Sequence, residues 1–170
     1  MDQVSLHTGS AEEWDRFARA QAGFTHFHLR GWSSVIRKSF GHECLNLVAR
    51  SGSDAITGVL PLVRVKSVLF GHYLVSLPFV NYGGPLGSDS AIRALSDDAV
   101  RRADATGVKL LELRSRIPLP IGLPVSHRKI TVLLDLPESG EQLMKAIPSK
   151  VRSQVRRPQK EGVTVQFGPD

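Results

Sequence analysis

The chain of 170 residues contains a single cysteine, Cys44, which excludes an internal disulfide framework and a zinc site built from several cysteines. One lone thiol is typical of proteins in a reducing compartment. Residues 1–17 lack the basic and apolar regions of a secretory signal. No apolar run approaches the roughly 20 residues that a membrane span needs. We therefore expect a cytoplasmic protein without a membrane span.

Acidic residues are missing from one segment, residues 145–160, and its basic residues are Lys145, Lys150, Arg152, Arg156, Arg157 and Lys160. Six of the 22 basic residues lie there, which leaves 16 to balance the 16 acidic residues of the chain. The net charge of +6 therefore belongs to one segment of an otherwise neutral protein.

Several sequence motifs of nucleotide binding, nucleophilic catalysis and metal binding are absent. The chain has no P-loop and no Gly-x-Ser-x-Gly nucleophile motif. Gly83-Gly84-Pro85-Leu86-Gly87 lacks the order of a dinucleotide loop, and Pro85 removes an amide that a phosphate would need, so we interpret it as a tight structural turn. His42 and Cys44 provide only two ligands, so we assign no metal site and expect Cys44 to be buried and inert.

Hydrophobic residues make up 41% of the chain, enough for a folded domain. Apolar spacing and capping residues predict helices over about residues 11–21, 29–39, 90–106 and 149–161, and a short helix that carries Leu143, Met144 and Ile147. Ser10 is expected to cap the first helix, and Ser88 or Asp89 the third. Pro158 should kink or end the last helix near Arg157.

Strands are predicted at residues 4–7, 44–50, 55–60, 62–69, 73–77, 108–114, 129–135 and 163–167. Pro61 should mark an edge or a bulge, because proline cannot donate to a ladder. The combination predicts an α/β (α+β) fold with a mixed, largely antiparallel sheet and flanking helices.

Two groups of charged residues are candidate sites. Glu112 and Arg114 share one face of a predicted strand, which favours an ion pair and leaves a catalytic carboxylate open. Arg152, Arg156 and Lys160 recur every four residues and would form one row on a helix. This row is either a solvated face or a binding surface for an anionic ligand. No aromatic residue interleaves these charges and no groove-reading motif is present, which argues against DNA.

Four segments, taken in order, resemble FemAB-like proteins, and most closely the branch associated with PEP-CTERM/exosortase exopolysaccharide systems. They are GVLPL (Gly58–Leu62), SLPFVNYGGPL (Ser76–Leu86), LELRS (Leu111–Ser115) and KVRSQVRRPQKEGVTV (Lys150–Val165). The resemblance covers nearly the whole chain. It implies tandem GNAT-type acyl-CoA N-acyltransferase domains of roughly twice this length.

The activity that the resemblance implies is transfer of an acyl or aminoacyl group to an amine of a cell-envelope precursor, such as a peptidoglycan or exopolysaccharide precursor. The donor would be acyl-CoA or aminoacyl-tRNA, so tRNA is an expected partner. Gln159-Lys-Glu-Gly162-Val-Thr164 matches a pyrophosphate loop only in part. We therefore assign no bound cofactor and no catalytic residue to this chain.

The resemblance also predicts the domain organisation. Residues 1–148 would form a GNAT-like domain, and residues 149–170 would be a linker helix and the first strand of a truncated second domain. Without that second domain we expect the 170-residue chain to be inactive as a transferase, because donor and acceptor must be held together. The predicted substrate-binding residues, which would contact an anionic precursor in the interdomain cleft, are Lys150, Arg152, Arg156, Arg157 and Lys160.

Overall fold

Six strands form one sheet in the computed structural model, which describes residues 2–67, 71–126 and 130–168. The strands are β1 (Gln3–Leu6), β2 (Glu43–Arg50), β3 (Ile56–Ser67), β4 (Gly71–Val75), β5 (Leu86–Gly87) and β6 (Leu110–Glu112). The helices are α1 (Ala11–Arg19), α2 (Gly31–Phe40), α3 (Asp89–Thr106), α4 (Gly140–Ala146) and α5 (Ser149–Lys160), with a 3-10 helix at His26–His28. The predicted α/β class is confirmed.

The strand order is β1-β2-β3-β4-β6, and β5 pairs with β3 beside this path. Every pairing is antiparallel except that of β4 with β6, which is parallel. A parallel pair needs a crossover connection, and α3 lies within this one. The mixed, largely antiparallel sheet is as predicted, and it is compatible with a GNAT-like fold.

The helices begin and end where their capping residues predict. The Ser10 hydroxyl accepts a hydrogen bond from the Glu13 amide, and the Ser88 hydroxyl accepts one from the Ala91 amide. At the other end of α3, Gly107 adopts φ 61°, a left-handed conformation that costs glycine little. Among the described residues, no helix is both long and apolar enough to cross a membrane.

Helices cover both faces of the sheet. On one face, α3 packs its predicted apolar stripe against leucines of the central strands, and the buried members include Leu47, Leu60, Leu62, Leu74, Leu95 and Ala99. On the other face, Trp14 of α1 and Ile36 of α2 belong to two smaller clusters. Residues that alternate along β2 and β3 therefore enter opposite cores, as expected for a strand buried on both sides.

Strand β3 runs through Pro61 without interruption, so the prediction of two separate strands is wrong. Pro61 lies opposite Asn46 of β2. On the other side of β3, β5 pairs with Gly58 and Val59, and β4 begins pairing only at Val63. Pro61 thus falls in a local opening of the ladder, where a proline is tolerated. Residues 68 and 69 of the predicted second strand lie outside the described residues.

The chain divides into two compact units, Met1–Ser126 and His127–Asp170. The predicted domain boundary after residue 148 remains a prediction. In the second unit two strands are predicted, at 129–135 and 163–167, and Lys129 lies outside the described residues. Both predictions are wrong for the described residues, because 130–136 and 163–168 pair with no strand. Helix α5 does not end near Arg157, as Pro158 predicted, but continues to Lys160. Beyond Pro158 the helical hydrogen bonds resume, because Glu161 N–H donates to Arg157 O.

Candidate functional site

Helix α5 carries all five predicted binding residues, Lys150, Arg152, Arg156, Arg157 and Lys160. All are exposed except Arg152, which is partly buried. The helix contains no acidic residue, and four-residue spacing places Arg152, Arg156 and Lys160 along one side of it. The cationic row therefore exists as predicted, although its members differ in what they contact.

Arg152 is held by the end of the preceding helix. Its Nη1 donates to the carbonyl oxygens of Met144, Lys145 and Ile147 at 3.3, 3.1 and 2.6 Å. The last carbonyls of a helix have no partner within it, and a cation there also faces the negative end of the helix dipole. Arg152 therefore caps α4, a structural role that the spacing alone does not indicate.

Arg157 also has an internal partner, because its Nε donates to Glu161 Oε1 at 2.8 Å. Lys150, Arg156 and Lys160 make no ion pair or hydrogen bond with other described residues. Arg156 lines an open cleft of about 640 Å³ between α4 and α5, together with Glu141, Met144, Lys145 and Arg152. Three free cations and this cleft are the features of the second unit that suit an anionic ligand.

In the first unit, a second group of residues joins the loop after β4 to strand β6. Ser76 N–H donates to Glu112 O at 2.9 Å, and the Ser76 hydroxyl accepts from Arg114 N–H at 2.7 Å. The amides of Gly83 and Gly84 both donate to Arg114 O, at 3.1 and 2.7 Å. These glycine amides are used by the protein itself and do not form a phosphate loop. Residues 83–87 are not the predicted tight turn, because 83–85 are an irregular segment and Leu86–Gly87 form β5.

The side chains of Glu112 and Arg114 form the predicted ion pair. Arg114 Nε and Nη2 donate to the two carboxylate oxygens of Glu112 at 3.1 and 3.2 Å. Arg114 Nη1 also donates to Val80 O at 2.8 Å. This bidentate contact occupies both carboxylate oxygens, so the pair serves to hold the loop and gives no support to a catalytic carboxylate.

Buried His28 connects this loop to α1. Because Thr25 N–H donates to His28 Nδ1 at 3.0 Å, Nε2 carries the hydrogen and donates to Gly84 O at 3.2 Å. The Trp14 indole donates to His28 O at 2.8 Å. Burial lowers the pKa of His28 below its usual value, although its backbone hydrogen bonds act in the opposite direction.

The shift of His28 predicts an acid-sensitive stability. The unfolded imidazole titrates near pH 6.5, and the folded one at lower pH, so below about pH 6.5 unfolding takes up a proton and the free energy of unfolding falls. We expect the His28→Gln variant to lose less stability than the wild type between pH 7 and 5. Urea unfolding at several pH values measures this. Parallel pH profiles for the two proteins would contradict the prediction.

Cys44 is partly buried, and burial raises the pKa of its thiol, with Arg37 and Arg30 acting in the opposite direction. Its Sγ donates to Ser33 O at 3.4 Å. A thiol held in its protonated form is a poor nucleophile, which agrees with the prediction of an inert cysteine.

One aromatic cluster, with two exposed members and one partly buried member, was not predicted. Phe40, His42 and Phe79 stack on one another at the surface of the first unit. Phe40 and His42 are close in the chain, but Phe79 joins them only through the fold, so no local pattern could indicate it.

The comparisons with known proteins add no family to these observations. No protein-family model matches the chain, and no curated protein matches it either.

Proposed function

We propose that this chain is the N-terminal part of a FemAB-like transferase that moves an acyl or aminoacyl group to an amine of a cell-envelope or exopolysaccharide precursor. We further propose that α5 binds the anionic part of that precursor. Acyl-CoA or aminoacyl-tRNA would be the donor.

The observation that carries the proposal is how the segments of the resemblance meet. Gly58–Leu62 lies in the central strand β3. The loop that begins at Ser76 is bonded to Glu112 and Arg114 of the LELRS segment by backbone, hydroxyl and guanidinium contacts. Three of the four segments, although far apart in the sequence, thus contact one another on a mixed sheet of the kind that the resemblance implies.

The free cations of α5 support the second part of the proposal. Lys150, Arg156 and Lys160 can each donate charge-assisted hydrogen bonds to a phosphate or diphosphate group. Binding of this kind would position the acceptor amine, and orientation of the two reactants is a large part of catalysis in such transfers. Arg152 would act by holding α4 against α5 at the edge of the cleft.

A second candidate function is a non-catalytic module that docks a phosphorylated ligand or RNA through the same helix. The observation that favours it is that these cations are exposed and unpaired among the described residues, while Glu112, the candidate catalytic carboxylate, is held by Arg114. The two candidates differ in whether any group is transferred.

The test is an acyl-transfer assay of the product of the complete reading frame, run in parallel with acyl-CoA and aminoacyl-tRNA. We expect transfer with one donor. The double change Arg156→Gln with Lys160→Gln should raise the acceptor KM about a hundredfold at low salt, since each bond to a charged group contributes about 1.5–3 kcal/mol.

The matched control is Arg101→Gln, which removes an exposed cation from α3. Its KM should stay within a factor of about two of the wild type. Absence of transfer with both donors would overturn the enzyme proposal, and anion binding that persists would then favour the docking module. An unchanged KM in the double variant would reduce α5 to a solvated face.

A further inference from the structure

Three stacked rings form an exposed aromatic cluster in the first unit. Phe40 lies at the end of α2, His42 in the turn after it, and Phe79 in the loop after β4. The ring centroids of Phe40 and Phe79 are 4.3 Å apart, and His42 lies 6.1 and 5.9 Å from them with nearly parallel planes. Phe40 and Phe79 are 50% and 58% exposed. Core packing therefore does not account for their position.

The backbone beside Phe79 is held in an unfavourable conformation. Phe79 has φ 69° and Leu77 has φ 55°, both in the left-handed region that residues with side chains seldom adopt. Leu77 is fully buried, so the loop is anchored in the core while the Phe79 ring faces solvent. Backbone strain of this kind is typical of functional sites, and here it places the Phe79 ring against Phe40.

Cations adjoin this cluster because of the strand register. Arg64 and Lys66 are two residues apart on β3 and so project from the same face. Lys66 lies opposite His72 of β4, and Arg64 lies opposite Glu43 of β2, to which its Nη1 donates at 3.0 Å. One carboxylate therefore balances one of the two permanent charges, and Lys66 is left without an ion-pair partner among the described residues.

A pocket of about 360 Å³ joins two of the rings, Phe40 and His42, to the cations, and Phe79 lies outside its lining. Its lining is Phe40, Gly41, His42, Glu43, Arg64, Lys66 and His72. Arg64 Nε and His72 Nε2 are buried and have no hydrogen-bond partner among the described residues, so both have unused bonding capacity at this pocket. The volume lies within the roughly 300–1,000 Å³ of small-molecule sites.

We propose that this pocket binds a planar aromatic ring that carries a phosphate, as in a nucleoside monophosphate. The ring would stack on the Phe40 ring, which Phe79 supports from its other side, and the phosphate would accept hydrogen bonds from Lys66 and His72. An apolar protein surface fits less well, because it would remove Lys66 and Arg64 from water without supplying an acceptor. A free nucleotide and the 5′-terminal nucleotide of an RNA share the required chemistry.

The test compares the binding of AMP, adenosine, inorganic phosphate and a 5′-phosphorylated oligoadenylate to the 170-residue chain by calorimetry. We expect AMP to bind at least about tenfold more tightly than adenosine or phosphate alone. Lys66→Gln and Phe40→Ser should each weaken AMP binding about tenfold or more, since they remove a charged contact and a stacking face. If the oligoadenylate binds more tightly than AMP and is weakened by the same two substitutions, the natural ligand is an RNA end. If the oligoadenylate and AMP bind with equal affinity, the natural ligand is a free nucleotide.

Arg16→Gln, which removes an exposed cation of α1 outside the pocket, serves as the matched control and should leave AMP affinity unchanged. Circular dichroism of each variant separates lost binding from lost folding. Absence of AMP binding at millimolar concentration would overturn the proposal. Self-association of the chain that depends on Phe79, without nucleotide binding, would overturn it in favour of a second copy as the occupant. Neither result would bear on acyl transfer, which uses different residues.

Discussion

Gly87→Ala should lower the free energy of unfolding of the first unit by about 3 kcal/mol or more. A Cβ atom at this position would clash with Thr57 O and lie 2.6 Å from Gly58 Cα, both of them backbone atoms of β3. Gly87 also has φ 138°, where a side chain is strained. Backbone strain of about 1–3 kcal/mol adds to a similar cost of forcing β5 away from β3.

The matched control for this change is Gly52→Ala. No atom lies within 4 Å of a Cβ built on Gly52, and its φ is not in the left-handed region. Its unfolding free energy should therefore stay within about 0.5 kcal/mol of the wild type or rise slightly, because alanine restricts the unfolded chain. Denaturant unfolding of both variants gives the comparison. Equal losses at the two positions would contradict the close approach of β5 to β3.

Trp14→Ala should cost about 3–5 kcal/mol of stability, the range for removing a large aromatic side chain from a core. Trp14 is fully buried and packs with Ala18, Val48, Val59 and Leu86. Its indole N–H also satisfies the carbonyl of buried His28. The change thus removes both the centre of this cluster and one of the contacts that hold α1 to the 3-10 helix.

Trp14→Phe separates these two contributions. Phenylalanine retains much of the apolar surface but leaves the His28 carbonyl without its indole donor, which costs about 1–3 kcal/mol. We expect its midpoint in urea to fall between those of the wild type and Trp14→Ala. If Trp14→Ala were as stable as Trp14→Phe, packing of the indole would contribute nothing, contrary to its complete burial.

The helices could be predicted because their signals are local. Ser10 and Ser88 accept the hydrogen bonds expected of capping residues, and the apolar spacing of α3 places Leu95 and Ala99 in the core. Caps and helical periods act within a few residues, so no knowledge of the rest of the fold is needed.

Strands depend on partners that the local sequence does not reveal. Ile130, Val132 and Leu134 alternate as in a half-buried strand, yet they are 88%, 84% and 66% exposed and pair with no strand among the described residues. Conversely, Pro61 argues against a single strand β3, yet β3 is continuous because no described strand pairs with Pro61 on the side of β4 and β5. Alternation gives the propensity of a segment, whereas its pairing is decided by register across the sheet.

The candidate sites also differ in whether local sequence or the complete fold determines them. Four-residue spacing predicts the row of cations on α5, because a helix fixes which side chains share a side. It does not predict that Arg152 would cap α4, since that contact depends on the angle of the turn between the helices. The cluster of Phe40, His42 and Phe79 is assembled only when the loop after β4 crosses the end of α2.

The parallel pairing of β4 with β6 has a consequence for the order of assembly. Strands β1 to β4 pair with antiparallel neighbours. Only a few residues separate β2 from β3 and β3 from β4 in the sequence, so these two pairs close quickly. The pairing of Leu74 with Leu111 must instead await the crossover through α3, with a larger loop entropy to overcome. We therefore expect the contacts of Glu112 and Arg114 with the loop after β4 to form late in folding, after β2, β3 and β4 have paired.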